Sequence, residues 1–176
     1  MANKSKMVTA VFRSQTDTEN AFDALRGLGY AESEIDVLMS ETTRKDWYSQ
    51  VSDGSKHSAG NKAVEGVGVG GTVGTAIGAT LGAVVAIGTS IAVPGLGLIV
   101  AGPIVAALAG GGAGAVTGGL VGGLIGLGIS EENAQAYQEV LRQGGVVMGV
   151  EPHASEDVNT IQKIFKDNNG DNIIYS

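Results

Sequence analysis

From Gly66 to Ser130 the chain carries no charged residue, and its glycines fall on a four-residue grid. Gly66, Gly70, Gly74, Gly78 and Gly82 make one row, continued by Ala86 and Ser90. Gly110, Gly114, Gly118, Gly122 and Gly126 make a second, led in by Gly102 and Ala106. Residues four apart stack on one face of a helix, so each row would be a groove without side chains. Between the rows, Val93-Pro94-Gly95-Leu96-Gly97 reads as a helix stop and a tight turn. The pattern predicts two long antiparallel helices zipped through small residues, with Pro94, Gly95 and Gly97 at the tip.

Such a hairpin needs compensation. A helical glycine costs roughly 1 kcal/mol relative to alanine, so the grid costs on the order of 10 kcal/mol in water. Val73, Ile77, Leu81 and Val85, with Val116, Leu120, Leu124 and Ile125, lie off the grid rows. Burying each is worth about 1.5–3 kcal/mol, so a second partner is expected for them: lipid, another copy, or the rest of the chain. Each arm, at roughly 40 Å, is long enough to cross a bilayer core. Against a double span stand a wholly apolar tip from Val93 to Val100 and flanks in which only Lys56 and Lys62 are basic.

The polar ends read differently. Met7 to Phe12 is β-rich, and Thr16 with Glu19 forms a capping box for a helix whose apolar face is Ala21, Phe22, Leu25 and Leu28. Glu34 to Met39 alternates as a strand. Residues 41–61, polar and irregular, read as a linker containing Trp47 and Tyr48. After the uncharged stretch, Ser130 caps a helix with Glu131 and Glu132 in its first turn and a stripe of Ala134, Tyr137, Val140 and Leu141. A strand over 146–150, a helix capped by Ser155 and a last strand at Ile173–Tyr175 follow. The β–helix–β order of residues 7–39 thus recurs in residues 146–175. The fold class expected is α+β: a ferredoxin-like sheet from two βαβ halves, helices on one face, with the long antiparallel α-hairpin inserted. The segments are 1–40, 41–61, 62–129 and 130–176.

Several motifs carry the glycine-rich stretch and its junctions. Pro94-Gly-Leu-Gly97, Ala101-Gly-Pro-Ile104 and Gly128-Ile-Ser-Glu-Glu-Asn-Ala-Gln-Ala-Tyr137, running to Gly144-Gly-Val-Val147, resemble the bacterial general-stress and low-temperature-induced glycine-zipper family. The opening Val8-Thr-Ala-Val-Phe12 is similar too, and the likeness covers nearly the whole chain. The resemblance implies stress-induced expression and association with itself or with membrane, and no catalytic residues.

Other chemistry finds little support. Gly66-Val-Gly-Val-Gly-Gly71 matches G-x-G-x-x-G, but no strand precedes it and no acid follows before Glu131, so a dinucleotide loop is not expected. Asp167-Asn-Asn-Gly-Asp171 lacks EF-hand spacing and reads as a helix C-cap. His57 and His153 stand alone, and the chain has no cysteine. No nucleophile–base pair is visible, so no cofactor, metal or enzymatic activity is expected. A net charge of −7 argues against nucleic acid and against docking on anionic lipid by charge. Met1 to Lys6 leads straight into a strand-like run, so a cytoplasmic location is expected, with the inner membrane competing. Trp47 and Tyr48 suit either a membrane interface or packing against the sheet. The expected function is non-enzymatic: homo-oligomerisation, filaments included, or membrane association through the hairpin. The alternative is a small-ligand-sensing regulatory module of ferredoxin-like type, by fold analogy.

Overall fold

The computed structural model describes residues 6–54, 91–93, 97–104, 113–126, 129–155 and 157–175. Strand β1 (Val8–Phe12) leads into helix α1 (Gln15–Gly27), a 3-10 turn at Glu32–Glu34 and strand β2 (Ile35–Ser40). Helix α2 (Glu41–Gly54) follows, then strands β3 (Ile91–Val93) and β4 (Leu98–Ala101). Helices α3 (Ala113–Gly126) and α4 (Glu131–Arg142), strand β5 (Val146–Val150), helix α5 (Asp157–Asp167) and strand β6 (Asp171–Tyr175) complete the order.

The strands form one sheet in the order β3-β4-β2-β5-β1-β6, every neighbouring pair antiparallel. At its centre β5 pairs β1 from Val8 opposite Val150 to Phe12 opposite Val146, and pairs β2 from Ile35 opposite Val150 to Met39 opposite Val146. Alternation then sorts the side chains. Val8, Ala10 and Phe12, Ile35, Val37 and Met39, and Val146, Met148 and Val150 face one side, against Phe22 and Leu25 of α1 and Ile161 and Phe165 of α5. Val11, Leu38 and Val147 face the other side, against Leu120 and Leu124 of α3 and Tyr137 and Leu141 of α4. Strands apolar on both faces must be covered on both.

That second layer departs from the expectation of helices on one face. Within the glycine-rich region, helix α3 is part of the second core. Of the partners expected for Leu120 and Leu124 (lipid, another copy or the rest of the chain), it is the chain's own sheet and α4 that cover them. The first glycine row, Gly66 to Gly82, and Gly110 lie outside the described residues.

The tip is also corrected. Residues flanking Pro94 and Gly95, which themselves lie outside the described residues, form two strands rather than the ends of two helices. β4 pairs β2 from Val37 opposite Ala101 to Ser40 opposite Leu98, and β3 pairs β4. Ile91-Ala-Val93 and Leu98-Ile-Val-Ala101 are rich in β-branched residues, which lose less side-chain freedom in a strand than in a helix. Gly97 adopts φ +60 in the turn, and Gly102, expected to lead the second helical row, adopts φ +95 and ends β4. The apolar character of 98–101 follows: it is a buried strand.

Residues 41–54 correct a further boundary, since the expected linker begins as a helix. Ser40 Oγ accepts the backbone N–H of Thr43 at 3.0 Å, and Glu41 N–H donates to Gly97 O at 2.8 Å, tying the start of α2 to the β4 turn. Similarly, α1 is capped by Ser14, not Thr16: Ser14 Oγ accepts from Asp17 N–H and its carbonyl accepts from Thr18 Oγ1. Leu28 is 40% exposed, outside the buried face of α1. In α4 the Ser130 cap and the stripe Ala134, Tyr137, Val140 and Leu141 are as expected. At the end of α5, Asn169 takes φ +57 and Gly170 N–H donates to Phe165 O at 2.7 Å, a helix C-cap.

Candidate functional site

Helix α3 holds the part of the glycine grid that the structure describes. Gly114, Gly118, Gly122 and Gly126 lie along it, and the backbone breaks at Gly119, where φ is 58 and ψ is −145. Only glycine enters that region at no steric cost. Beyond the break, Leu120 and Leu124 are anchored in the second core. At roughly 100° per residue, Gly122 lies about 200° around the helix from Leu124, and it is half-buried. Ile125 is 42% exposed, Gly126 is exposed, and no heavy atom beyond its own helix and chain neighbours lies within 4 Å of where a Gly126 Cβ would be. The helix is therefore fixed by one face and exposes Ile125 and Gly126 on another. Among the described residues, no helix is long and apolar enough to cross a membrane.

The uncharged segment is tied to the sheet through a buried carboxylate. Asp36 sits mid-strand on β2 opposite Gly149, on the face that carries Leu38, and is 1% exposed. Its Oδ1 accepts the backbone N–H of Ile104 at 2.6 Å. Its Oδ2 is buried without a hydrogen-bond partner among the described residues. Burial pushes the carboxyl up to about 7; the Ile104 N–H opposes this and the Glu151 charge adds to it. A left-handed Gly102 lets the chain turn close over Asp36. Strand alternation would place Asp36 on a wet face, so nothing in the pattern marks it as buried; only the second layer makes it so.

Comparison with protein-family models, with curated proteins and with solved structures gives no match.

Helix α4 is keyed to the same sheet face by one polar contact. The Tyr137 and Thr9 hydroxyls are hydrogen-bonded at 2.7 Å, both residues buried. Tyr137→Phe leaves the Thr9 hydroxyl without that partner and should cost about 1–2 kcal/mol, read as a lower urea midpoint with an unchanged slope.

Tyr48 is 1% exposed within the first core, with Trp47 partly buried beside it and their rings 6.4 Å apart, edge to face. Burial and the Glu19 charge hold the Tyr48 phenol above its ordinary range. In this arrangement the pair packs against the sheet. His153 stacks on Tyr30 with ring centroids 4.2 Å apart, and its Nε2 lies 2.9 Å from Glu34 Oε1. The Tyr30 hydroxyl accepts from His153 N–H and donates to Asp157 Oδ2. These contacts clasp the loops before β2 and α5. Among the described residues no three histidine, aspartate or glutamate side chains gather at metal-binding spacing. His57 lies outside those residues.

Proposed function

We propose that this chain is a non-enzymatic structural protein that associates with itself through the glycine-bearing face of its inserted segment. One observation carries the reading: α3 is locked to the sheet by Leu120 and Leu124 while Ile125 and Gly126 are exposed and Gly122 is half-buried. A helix that is rigidly held and exposes glycine beside an isoleucine lets another backbone approach closely and offers it an apolar contact. An open association of this kind propagates into filaments. The strand order β2-β5-β1-β6, with a helix joining β1 to β2 and another joining β5 to β6, supports a ferredoxin-like reading of the scaffold. A stress-associated role follows the resemblance to the general-stress glycine-zipper family. Membrane association competes, resting on the apolar segment between Gly66 and Ser90.

Sedimentation velocity separates these outcomes. The wild-type protein should run above monomer mass at micromolar concentration. Gly126→Leu, placed where a Cβ meets nothing within 4 Å among the described residues, should leave the thermal midpoint nearly unchanged and shift the protein to smaller species. A wild-type monomer that also fails to float with phosphatidylethanolamine–phosphatidylglycerol vesicles would overturn both forms of the proposal. Unchanged particle size in Gly126→Leu and in Gly118→Leu would overturn the glycine face as its cause.

A further inference from the structure

A cavity of about 230 Å³ opens where the end of β2, the start of β4, α3 and α4 meet. Its apolar wall is Leu98, Leu120 and Leu141, all buried members of the second core. Its polar lining is Ser40, Gln138 and Arg142. Gln138 and Arg142 are four residues apart on α4, so their side chains share one face and reach the cavity together.

Arg142 is one of four described arginines and lysines, with Lys6, Arg44 and Lys166, that make no ion pair among the described residues, and of the four it is the one that lines the cavity. Arg13, Arg26, Lys45 and Lys163 each face a carboxylate, at Asp171, at Asp23 and Glu32, at Glu41 and at Asp167. Arg142 makes no ion pair among the described residues, in a chain of net charge −7. An acidic protein that places an exposed guanidinium at the rim of a leucine-walled cavity offers a fork for a carboxylate and an apolar wall for what the carboxylate carries. Ser40 adds to the same sign, because it caps α2 and so places the positive end of that helix on the cavity wall. A role for Arg142 limited to offsetting the carbonyl end of α4 would need neither the cavity nor Gln138 beside it.

We infer that this cavity binds a short aliphatic monocarboxylate, its carboxylate on Arg142 and the Gln138 amide and its chain against Leu98, Leu120 and Leu141. Size sets the class. At roughly 30 Å³ for each water-sized group, the space takes ~8 non-hydrogen atoms, the bulk of hexanoate. It falls below the about 300 Å³ at which ordinary small-molecule sites begin, so a nucleotide or a long-chain fatty acid does not fit.

The test is a titration of the full-length protein with sodium hexanoate, followed by amide shifts in a two-dimensional NMR spectrum, with hexan-1-ol as the uncharged control. Hexanoate should move the amides of Ser40, Gln138 and Arg142 in one saturable process, and hexan-1-ol should bind at least several-fold more weakly. Arg142→Gln should weaken hexanoate roughly tenfold or more, leave hexan-1-ol unaffected, and be partly rescued by Arg142→Lys. Equal binding of acid and alcohol, no saturable shifts at tens of millimolar, or unchanged affinity in Arg142→Gln would each overturn the assignment. Should Arg142→Gln not fold, the acid-against-alcohol comparison on the wild type decides. Hexanoate affinity should be the same in Gly126→Leu, so this site and the self-association face stand or fall separately.

Discussion

Asp36→Asn should make the protein more stable at pH 8 and remove most of the fall in stability between pH 4 and pH 7. The folded protein holds this carboxyl at about 7 against an ordinary value of 3.8. Below pH 3.8 the group is protonated in both folded and unfolded chains, and its contribution is fully present. Between roughly pH 4 and pH 7 the unfolded chain ionises while the folded chain keeps the proton, so stability declines as pH rises. At ~1.4 kcal/mol for each pH unit, the loss is on the order of 4 kcal/mol by pH 8. Asparagine keeps an oxygen for the Ile104 N–H and carries no charge to desolvate. Its amide nitrogen would occupy the position of the unpartnered Oδ2, which returns part of the gain. The net expectation is about 2 kcal/mol in favour of Asp36→Asn at pH 8 and no advantage at pH 4. Urea denaturation of both proteins at pH 4, 6 and 8 checks it; parallel pH profiles, or a less stable variant at pH 8, would show that Asp36 ionises freely in the fold. Asp36→Leu, which leaves Ile104 N–H unpaired, should instead be destabilised at every pH.

Why Asp36 escapes a reading of the chain also explains what else does. Elements with a strong period are legible: the stripe Ala134, Tyr137, Val140 and Leu141 stands out because polar residues separate it, and the helix follows from it. Residues 91–104 have no such contrast. A run of isoleucine, valine, alanine and leucine looks the same as helix or strand, and the glycine grid draws it toward helix. The deciding partner, the free edge of β2, is some sixty residues away in the chain and leaves no local mark. Helix α2 is hidden for the opposite reason. Its sequence is polar, and of its described side chains only Thr43 and Tyr48 are buried, with Trp47 packed against the core, so its apolar stripe is too thin to register. The second face of the sheet was available in principle. Val11, Leu38 and Val147 occupy strand positions that alternate with the first core, and apolar residues on both faces imply two layers. Once that layer is in place, Asp36 is buried and Arg142 acquires a cavity; neither property belongs to either residue alone.

Gly102→Ala should be among the most damaging single-methyl changes available in the described residues, lowering stability by about 3 kcal/mol or more. Gly102 has φ +95, a conformation that costs any residue with a Cβ. An added Cβ would also lie 2.5 Å from Ile35 O and 2.7 Å from Asp36 Cα. Those are backbone atoms of a central strand and cannot rotate aside, so the chain after β4 must lift off β2. The same movement withdraws Ile104 N–H from Asp36 Oδ1. Gly102→Ala should therefore flatten the pH dependence assigned to Asp36, because a carboxylate uncovered by that lift is solvated. A double-mutant cycle with Asp36→Asn should show strong non-additivity. Gly97→Ala provides the contrast: its φ is +60, but a Cβ there meets nothing within 4 Å, so only the backbone preference of about 1 kcal/mol is lost. Equal losses in the two alanine variants would mean that strain at positive φ, and not closure over Asp36, governs this junction.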